Sequence, residues 1–375
     1  MKVLMLGRSK LMKIGGGDKV QIVNTAKELE KLGVEVKIKT NLKFDPAKYD
    51  IIHVFQLDWI PETYFYIKKA HKARKPVVLS PIHHSVSEVK KFDDIFVFDF
   101  RRISKFLFKD QFKRDTFKNV YRCFSNPEIF IPTLISIFKG LKKMHKECLK
   151  MSKAVLVQTS LEAEDLKKTY GVAFNWHKVV NGVGKNFLNV ENIKNPFDFD
   201  NYILCVGRIE PRKNQLSVIK AVERFRSENN LDIKLVFIGK IGNLKHFEYN
   251  KLFKEQTAKN DWVIHIDSVP YEKMPSYYKY AKVGVSASWF ETTGLTSLEA
   301  LYCGTNAVAS GARAKEYLGE HASYCCPDDI ESIKKAIQKE FFAPRPVLSG
   351  EIKEKYTWKR AAEKTLEVYN KILGK

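Results

Sequence analysis

The sequence predicts an α/β protein made of two doubly wound, parallel-sheet halves. Three observations carry this. The chain opens with a strand over 3–7, a helix over 20–31 and a strand over 34–38, a βαβ unit whose strands run parallel. The same alternation restarts at Tyr202, with a strand over 202–206, a helix over 215–228 and a strand over 233–239. The chain of 375 residues also exceeds what one hydrophobic core usually holds, so two domains are expected.

In the first half, helix 20–31 places Ile22, Val23, Ala26 and Leu29 on one face, and Gly33 stops it. Ahead of it stands Gly15-Gly16-Gly17-Asp18. This run is either a backbone cradle for an anion at the helix N-terminus or a flexible connection. Residues 50–55 and 76–80 read as buried strands, with a helix near 64–73 between them. The second strand runs into Pro81-Ile82-His83-His84. A lone histidine is more often structural, but a pair at a strand's C-terminal end is better placed for function. Further ligands that would make it a metal site are not identifiable. Strand 154–157 precedes Thr159 and Ser160, either of which can cap a helix that ends near Tyr170-Gly171. Residues 179–183 close the first half, and 184–201, polar, irregular and carrying Pro196, read as a linker.

In the second half, strand 262–266 and helix 274–281 lead to Val283, Val285 and Ala287, the alternating end of a buried strand. A loop with Glu291 and Gly294 follows, then a helix with Glu299, Ala300 and Leu301. The turn Cys303-Gly304-Thr305 leads into another strand at Ala307. The last helix, over 357–373, carries Trp358, Ala361, Leu366, Tyr369 and Leu373. The expected divisions are therefore 1–183, a linker over 184–201, a second domain over 202–356 and a final helix over 357–375.

Composition narrows the function classes. Hydrophobic content of 44% excludes a disordered chain. A net charge of +22 calls for an anionic partner: nucleic acid, a membrane surface or a phosphorylated substrate. The six cysteines form no C-x-x-C pair, which fits a reducing, cytosolic setting rather than zinc or thioredoxin-like chemistry. The short apolar start reads as the first strand and not as a signal peptide. No stretch has the ~18–20 apolar residues of a spanning helix. The nearest, 129–138, is interrupted by Pro132. Residues 90–150 stand apart, with fifteen Lys and Arg against seven Asp and Glu, and eleven phenylalanines among them. Ile103, Phe106, Leu107 and then Phe117, Val120, Tyr121, Phe124 follow helical spacing. Three readings stay open: basic amphipathic helices lying in a membrane interface, a helical pair with its aromatics packed and its lysines solvated, or aromatics that stack on nucleic acid. No nucleic-acid-binding motif accompanies the last.

The residues that carry chemistry lie in two loops of the second half. Arg208 and Lys213, after its first strand, either bind a diphosphate or form a solvated basic loop. Glu291 has no structural explanation in the sequence. Glu299 has one, because Thr296-Ser297-Leu298-Glu299 fits a capping box. Such a helix N-terminus also offers free N–H groups, and a carboxylate beside it can accept hydrogen bonds from sugar hydroxyls. Asp198-Phe199-Asp200 has the form of a metal-binding D-x-D but falls in the linker, where it reads as a solvated coincidence.

Glu291 to Glu299 is E-x7-E. Together with Gly207-Arg208, Lys213, the N-terminal glycine loop and the Tyr356-Thr357-Trp358 tail, the chain resembles the retaining glycosyltransferases of family 4 along nearly its whole length. The resemblance implies the GT-B fold: two Rossmann-like domains facing each other across a cleft, with the last helix crossing back to the N-terminal domain. It implies a nucleotide-sugar donor held mainly by the C-terminal domain, and transfer with retention of configuration. The departing diphosphate helps to deprotonate the acceptor, so no dedicated protein base is expected, and the family requires no metal or cofactor. It places Glu291 at the donor sugar hydroxyls, Glu299 at the ribose, and Arg208 and Lys213 at the diphosphate. The turn Thr292-Thr293-Gly294-Leu295 would offer N–H groups to sugar and phosphate. Gly239, Lys240, Val269 and Pro270 would border the base. Gly16 or Gly17 would approach the phosphate or acceptor, and one of His83 and His84, with His83 preferred, would lie near the donor sugar.

The chain departs from the family pattern at Thr292-Thr293 (commonly Gly-Phe), at Asn306 (commonly Pro) and at Gly184 (commonly Asp). The acceptor is expected to be a saccharide, lipid-linked or part of a growing surface polysaccharide. The basic segment 90–150 would meet an anionic membrane from the cytoplasmic side, and no nucleic acid is expected. The alternatives are another GT-B enzyme, such as a nucleotide-sugar epimerase or a phosphorylase, or a non-catalytic basic protein that binds membrane or nucleic acid.

Overall fold

The computed structural model of the protein describes residues 1–12, 16–95, 101–125, 129–242 and 246–375. Gly15 of the glycine run and Phe96, Phe98 and Phe100 of the basic segment lie outside these residues, as do the side chains of Ile103 and Phe124. The described residues form two compact units. One comprises Met1–Val86, Ile103–Gly182 and Tyr356–Lys375; the other comprises Ser87–Arg102 and Val183–Lys355.

The first unit holds six parallel strands: β1 (Lys2–Leu6), β2 (Glu35–Lys39), β3 (Ile51–Phe55), β4 (Val77–Ser80), β5 (Ala154–Val157) and β6 (Trp176–Lys178). Their order is β2-β1-β3-β4-β5-β6, so the sheet reverses direction between β1 and β3. The central strands are apolar on both faces because helices cover both. One side packs Leu4, Ile52, Val54 and Leu79 against the helices Ile60–Lys72 and Leu141–Met151. The other packs Val3, Met5, Ile51 and Val78 against helix Gly17–Lys31 and the last helix, Trp358–Leu373. Thr357 caps that last helix by accepting from the Arg360 N–H. Its Tyr369 hydroxyl lies 2.6 Å from His53 Nδ1, inside the core. A Cβ on Gly182 would come within 2.2 Å of the Trp358 backbone nitrogen, so the chain's return to this unit depends on a residue without a side chain.

The second unit holds β7 (Tyr202–Val206), β8 (Leu235–Ile238), β9 (Val263–Ile266), β10 (Ala281–Val285), β11 (Asn306–Ser310) and β12 (Ser323–Cys325). The order β12-β11-β10-β7-β8-β9, all parallel, is that of a dinucleotide-binding sheet, with its reversal between β7 and β10. The loops after those two strands carry Lys213 and Glu291. Ligands bind at such switch points because adjacent loops there leave in opposite directions and open a crevice.

Two expectations change. Residues 184–201 are no loose linker but part of the second unit. Phe187 is fully buried against Tyr271 and Tyr278, Phe197 stacks on Phe199, and Tyr280 donates to the Ile193 carbonyl. Aromatic anchors hold what polar composition had marked as free. The basic segment is also divided, since 87–102 clusters with the second unit. There Phe92 packs on Trp289 and Phe290, and Lys91 pairs with Asp328 at 2.7 Å.

Candidate active site

The loop after β7 is shaped by two glycines. Gly207 and Gly239 have φ of +148° and +154°, and a Cβ on Gly239 would sit 2.1 Å from the Gly207 carbonyl oxygen. Only glycine allows the ends of β7 and β8 to approach this closely. Pro211–Lys213 then forms a 3₁₀ turn, closed by Asn214 in the left-handed region at φ +62°. The Asn214 side chain donates to the Pro327 carbonyl at 2.7 Å, and the Gln215 side chain to that of Arg208 at 2.8 Å. The turn aims Arg212 and Lys213 inward. Lys213 passes along Gly207 and donates to Glu291 Oε1, and Arg212 Nη1 lies 3.5 Å from the same oxygen. Arg212 also donates to Glu210 at 2.9 Å and lies over the Phe290 ring.

Glu291 is therefore held by two cations, and its side chain is only 15% exposed. Burial alone would raise its pKa. Lys213 and Arg212, with hydrogen bonds from Lys213 and Ser288, outweigh burial and hold the carboxyl at about 2. Arg208 plays a different part. Its side chain is 52% exposed and lies 3.7 Å from Glu210, the carboxylate it shares with Arg212, and makes no ion pair with Glu291 itself. The two loops are tied together through the backbone, where the Trp289 N–H donates to the Arg212 carbonyl at 2.9 Å.

Glu299 is not part of a capping box. Helix Leu295–Tyr302 starts from Gly294, whose φ of +84° makes it the N-terminal boundary, and no side chain caps it. Thr296 lies inside the first turn instead. Glu299 sits in the helix body and is buried, accepting from the Tyr271 hydroxyl at 2.8 Å and the Tyr278 hydroxyl at 3.0 Å. Burial pushes its pKa up to about 7, against the two tyrosines, which lower it. The neutral form is thus favoured in the folded protein, so this group's contribution to stability is complete below about 4.5 and is lost as pH rises through about 7. Relative to wild type, Glu299→Gln is expected to gain roughly 3 kcal/mol between these limits. Urea unfolding of both proteins from pH 5 to pH 8 measures this, and a difference independent of pH would mean that Glu299 titrates normally.

In the same turn Thr293 is buried and Thr292 partly exposed. Ser297 is also buried, and its hydroxyl makes no hydrogen bond to any described residue. It lies 3.9 Å from where a Cβ on Gly294 would stand. A buried hydroxyl without a partner beside a helix N-terminus is a position a ligand's oxygen can satisfy. Lys240 and Pro270 are exposed and Val269 is partly exposed, each near the C-terminal end of β8 or β9.

The first unit has its own cluster after β3 and β4. Gln56 and Ile82 have φ of +74° and +44°, and the latter is a strained value for a β-branched residue. These two turns bring Asp58 to the histidines. His83 Nδ1 is 2.5 Å from Asp58 Oδ1, and His84 Nδ1 is 2.7 Å from Asp58 Oδ2. Burial opposes ionisation of Asp58, but the charge and hydrogen bonds of His83 and His84 hold its carboxyl well below the usual range. His83 is 2% exposed, and its Nε2 lies 3.7 Å from Asp165. His84 is the more accessible of the pair. Gly16 and Gly17 are exposed at the start of helix Gly17–Lys31, where Asp18 is paired with Arg8 at 2.6 Å.

Among the described residues, no group of three or more His, Cys, Asp and Glu side chains is arranged to hold a metal ion. The structure thus brings Glu291 together with Lys213, and His83 with His84. It leaves Arg208 apart from Glu291. It adds Arg212, Ser297, Tyr271 and Tyr278 in the second unit and Asp58 in the first, none of which the sequence singled out.

Two six-stranded parallel α/β units, with the C-terminal helix belonging to the first, define the GT-B fold. Sucrose-phosphate synthase from Thermosynechococcus elongatus shares it over 100% of this chain and 99% of its own, with a TM-score of 0.71 and 15% identity. HepE of Anabaena in complex with UDP and glucose shares it over 100% and 98%, with a TM-score of 0.62 and 15% identity. Residues 189–341, within the second unit, match the family described as glycosyl transferases group 1. O-antigen chain mannosyltransferase B of Escherichia coli is 26% identical over 176 residues, 45% of each chain. The match thus spans less than half of that relative's length.

Proposed function

We propose that the protein is a retaining glycosyltransferase of family 4, which moves a sugar from a nucleotide-sugar donor to a saccharide acceptor without a metal ion. The observation that carries this reading is the Lys213–Glu291–Arg212 cluster at the switch point between β7 and β10. A diphosphate arriving there meets two fixed cations, and Arg208 is exposed on the same loop. As the bond from sugar to diphosphate breaks, negative charge grows on the leaving oxygen, and cations already in place stabilise it without reorganising. Glu291 keeps those cations oriented and presents a carboxylate to the sugar hydroxyls. The N–H groups of Gly294 and Leu295 and the Ser297 hydroxyl receive phosphate or sugar oxygens. Glu299 takes the ribose, and Gly239, Lys240, Val269 and Pro270 border the base.

In the first unit, His84 is the better candidate for contact with substrate. Asp58 fixes its ring, and His83 buttresses Asp58 from within. Gly16 and Gly17 lie on the acceptor side. UDP and glucose in the HepE complex support a nucleotide-sugar donor, and the O-antigen chain mannosyltransferase supports a polysaccharide acceptor. Incubation with a panel of nucleotide sugars and simple saccharides tests the reading. Sugar joined to acceptor with its anomeric configuration retained, read by NMR, is the expected product. Isomerised free donor would mean an epimerase, sugar phosphate formed only with added phosphate would mean a phosphorylase, and no turnover of any donor would overturn the enzymatic reading.

A further inference from the structure

Helix Phe130–Lys139 in the first unit inverts the usual arrangement of a surface helix. Its buried residues are Pro132, Thr133 and Ser136. Its large apolar residues face outward, with Phe138 86% and Ile131 65% exposed, and Phe130, Leu134, Ile135 and Ile137 exposed as well. A soluble helix buries its apolar stripe and solvates its polar one. Here a small, polar face packs against the helices Ile60–Lys72, Gln111–Ser125 and Leu141–Met151, and the apolar face is left outside. Single exposed apolar residues need no explanation, but six on one short helix mark an interaction surface.

The charges around it indicate the partner. No Asp or Glu occurs between residues 129 and 146, whereas Lys142, Lys143 and Lys146 do, along with Lys139, which pairs with Glu147 at 2.7 Å. Lys142 and Lys143 are exposed just beyond Gly140, which ends the apolar helix with φ +82°. Lys113, on the adjoining helix Gln111–Ser125, is exposed too, alongside Val120 and Tyr121. The preceding helix, Arg101–Leu107, likewise ends on exposed Phe106 and Leu107, with exposed Lys109 just after it. Apolar side chains bordered by cations fit a surface that is apolar inside and anionic at its rim. Ten helical residues span only about 15 Å, half of a bilayer's ~30 Å hydrocarbon core, so the helix cannot cross and must lie along the surface.

We propose that helix Phe130–Lys139 is a membrane anchor, which inserts Phe130, Ile131, Leu134, Ile137 and Phe138 among the acyl chains of an anionic bilayer while Lys142 and Lys143 engage its headgroups. This stands apart from the transfer reading, because binding requires neither donor nor acceptor. Co-sedimentation with lipid vesicles tests it, comparing pure phosphatidylcholine with a mixture containing about one-third phosphatidylglycerol, at low and high salt. The wild-type protein is expected to sediment with the anionic vesicles at low salt and to bind more weakly at high salt. Ile131→Ser combined with Phe138→Ser is expected to lower partitioning about tenfold or more, with an unchanged melting temperature because both side chains are exposed. Absence of wild-type binding at low salt would overturn the proposal, as would a double variant that binds like wild type. A dimer that the double variant dissolves, without any vesicle binding, would reassign the face to contact between copies of the chain. Donor turnover in vesicle-free solution is read separately, so loss of binding and loss of transfer remain distinguishable.

Discussion

Replacing Lys213 with methionine is expected to lower sugar transfer about 1,000-fold, chiefly in kcat, while the protein still folds. Methionine keeps most of the lysine stem that lies along Gly207 but removes the charge. A cation positioned on a leaving diphosphate acts where charge develops, and loss of one such group typically costs two to three powers of ten. The structural cost is smaller. Glu291 loses its shorter partner but retains Arg212 at 3.5 Å, and both side chains of the lost pair touch solvent. A loss of roughly 1–2 kcal/mol in stability is expected, below the ~3–5 kcal/mol of a fully buried broken pair.

Glu291→Gln separates the two roles of the cluster. If the ion pair serves only the fold, the double variant Lys213→Met, Glu291→Gln removes the carboxylate charge that has lost its shorter partner and recovers both stability and activity. If the cluster is the donor site, stability recovers and transfer does not. Urea unfolding and steady-state kinetics on the three variants decide between these outcomes.

Gly239→Ala is expected to destabilise the second unit by about 4 kcal/mol, enough to reduce soluble protein sharply. Its φ of +154° is strained for any residue with a side chain, and the new Cβ would lie 2.1 Å from the Gly207 carbonyl oxygen. That oxygen cannot retreat cheaply, because the Gly207 N–H donates to the Ile238 carbonyl and the Gly239 N–H to that of Ile266. Gly207→Ala is the informative contrast. It carries a similar φ, but its nearest contact is the flexible Lys213 side chain at 3.4 Å. It is expected to fold better than Gly239→Ala and to disturb transfer more than stability. Equal unfolding midpoints for the two variants would contradict the close approach of β7 and β8 as the reason for Gly239.

How much of this the sequence reveals depends on whether the signal is local. β5 and β7 are short apolar runs bounded by polar residues, and both are legible to the residue. β6, Trp176–Lys178, has no such run and escapes sequence reading, because a three-residue edge strand needs little apolar content. Glu291 and Lys213 are legible as loop residues after parallel strands, since the βα alternation places those loops at one edge of the sheet. Which basic residue of that loop meets Glu291 is not legible. The 3₁₀ turn at Pro211 rotates Arg212 and Lys213 inward and leaves Arg208 out.

The capping-box pattern at Thr296–Glu299 misleads because Gly294, in the left-handed region, already sets the helix start. The true partners of Glu299, Tyr271 and Tyr278, lie 28 and 21 residues away, where no local pattern reaches. Asp58 escapes for the same reason, since it meets the histidines across two strand ends. The apolar run at 129–138 is visible in the sequence, but only the structure reveals that its polar side is the buried one.

The central claim is that the β7 and β10 loops form a diphosphate site built on Lys213. The most direct measurement is a calorimetric titration of wild-type protein and Lys213→Met with UDP, GDP and the other common nucleoside diphosphates. Wild type is expected to bind one of them, and Lys213→Met to bind the same nucleotide at least about tenfold more weakly, a loss of ~1.4 kcal/mol or more. Equal affinity in the two proteins would contradict it.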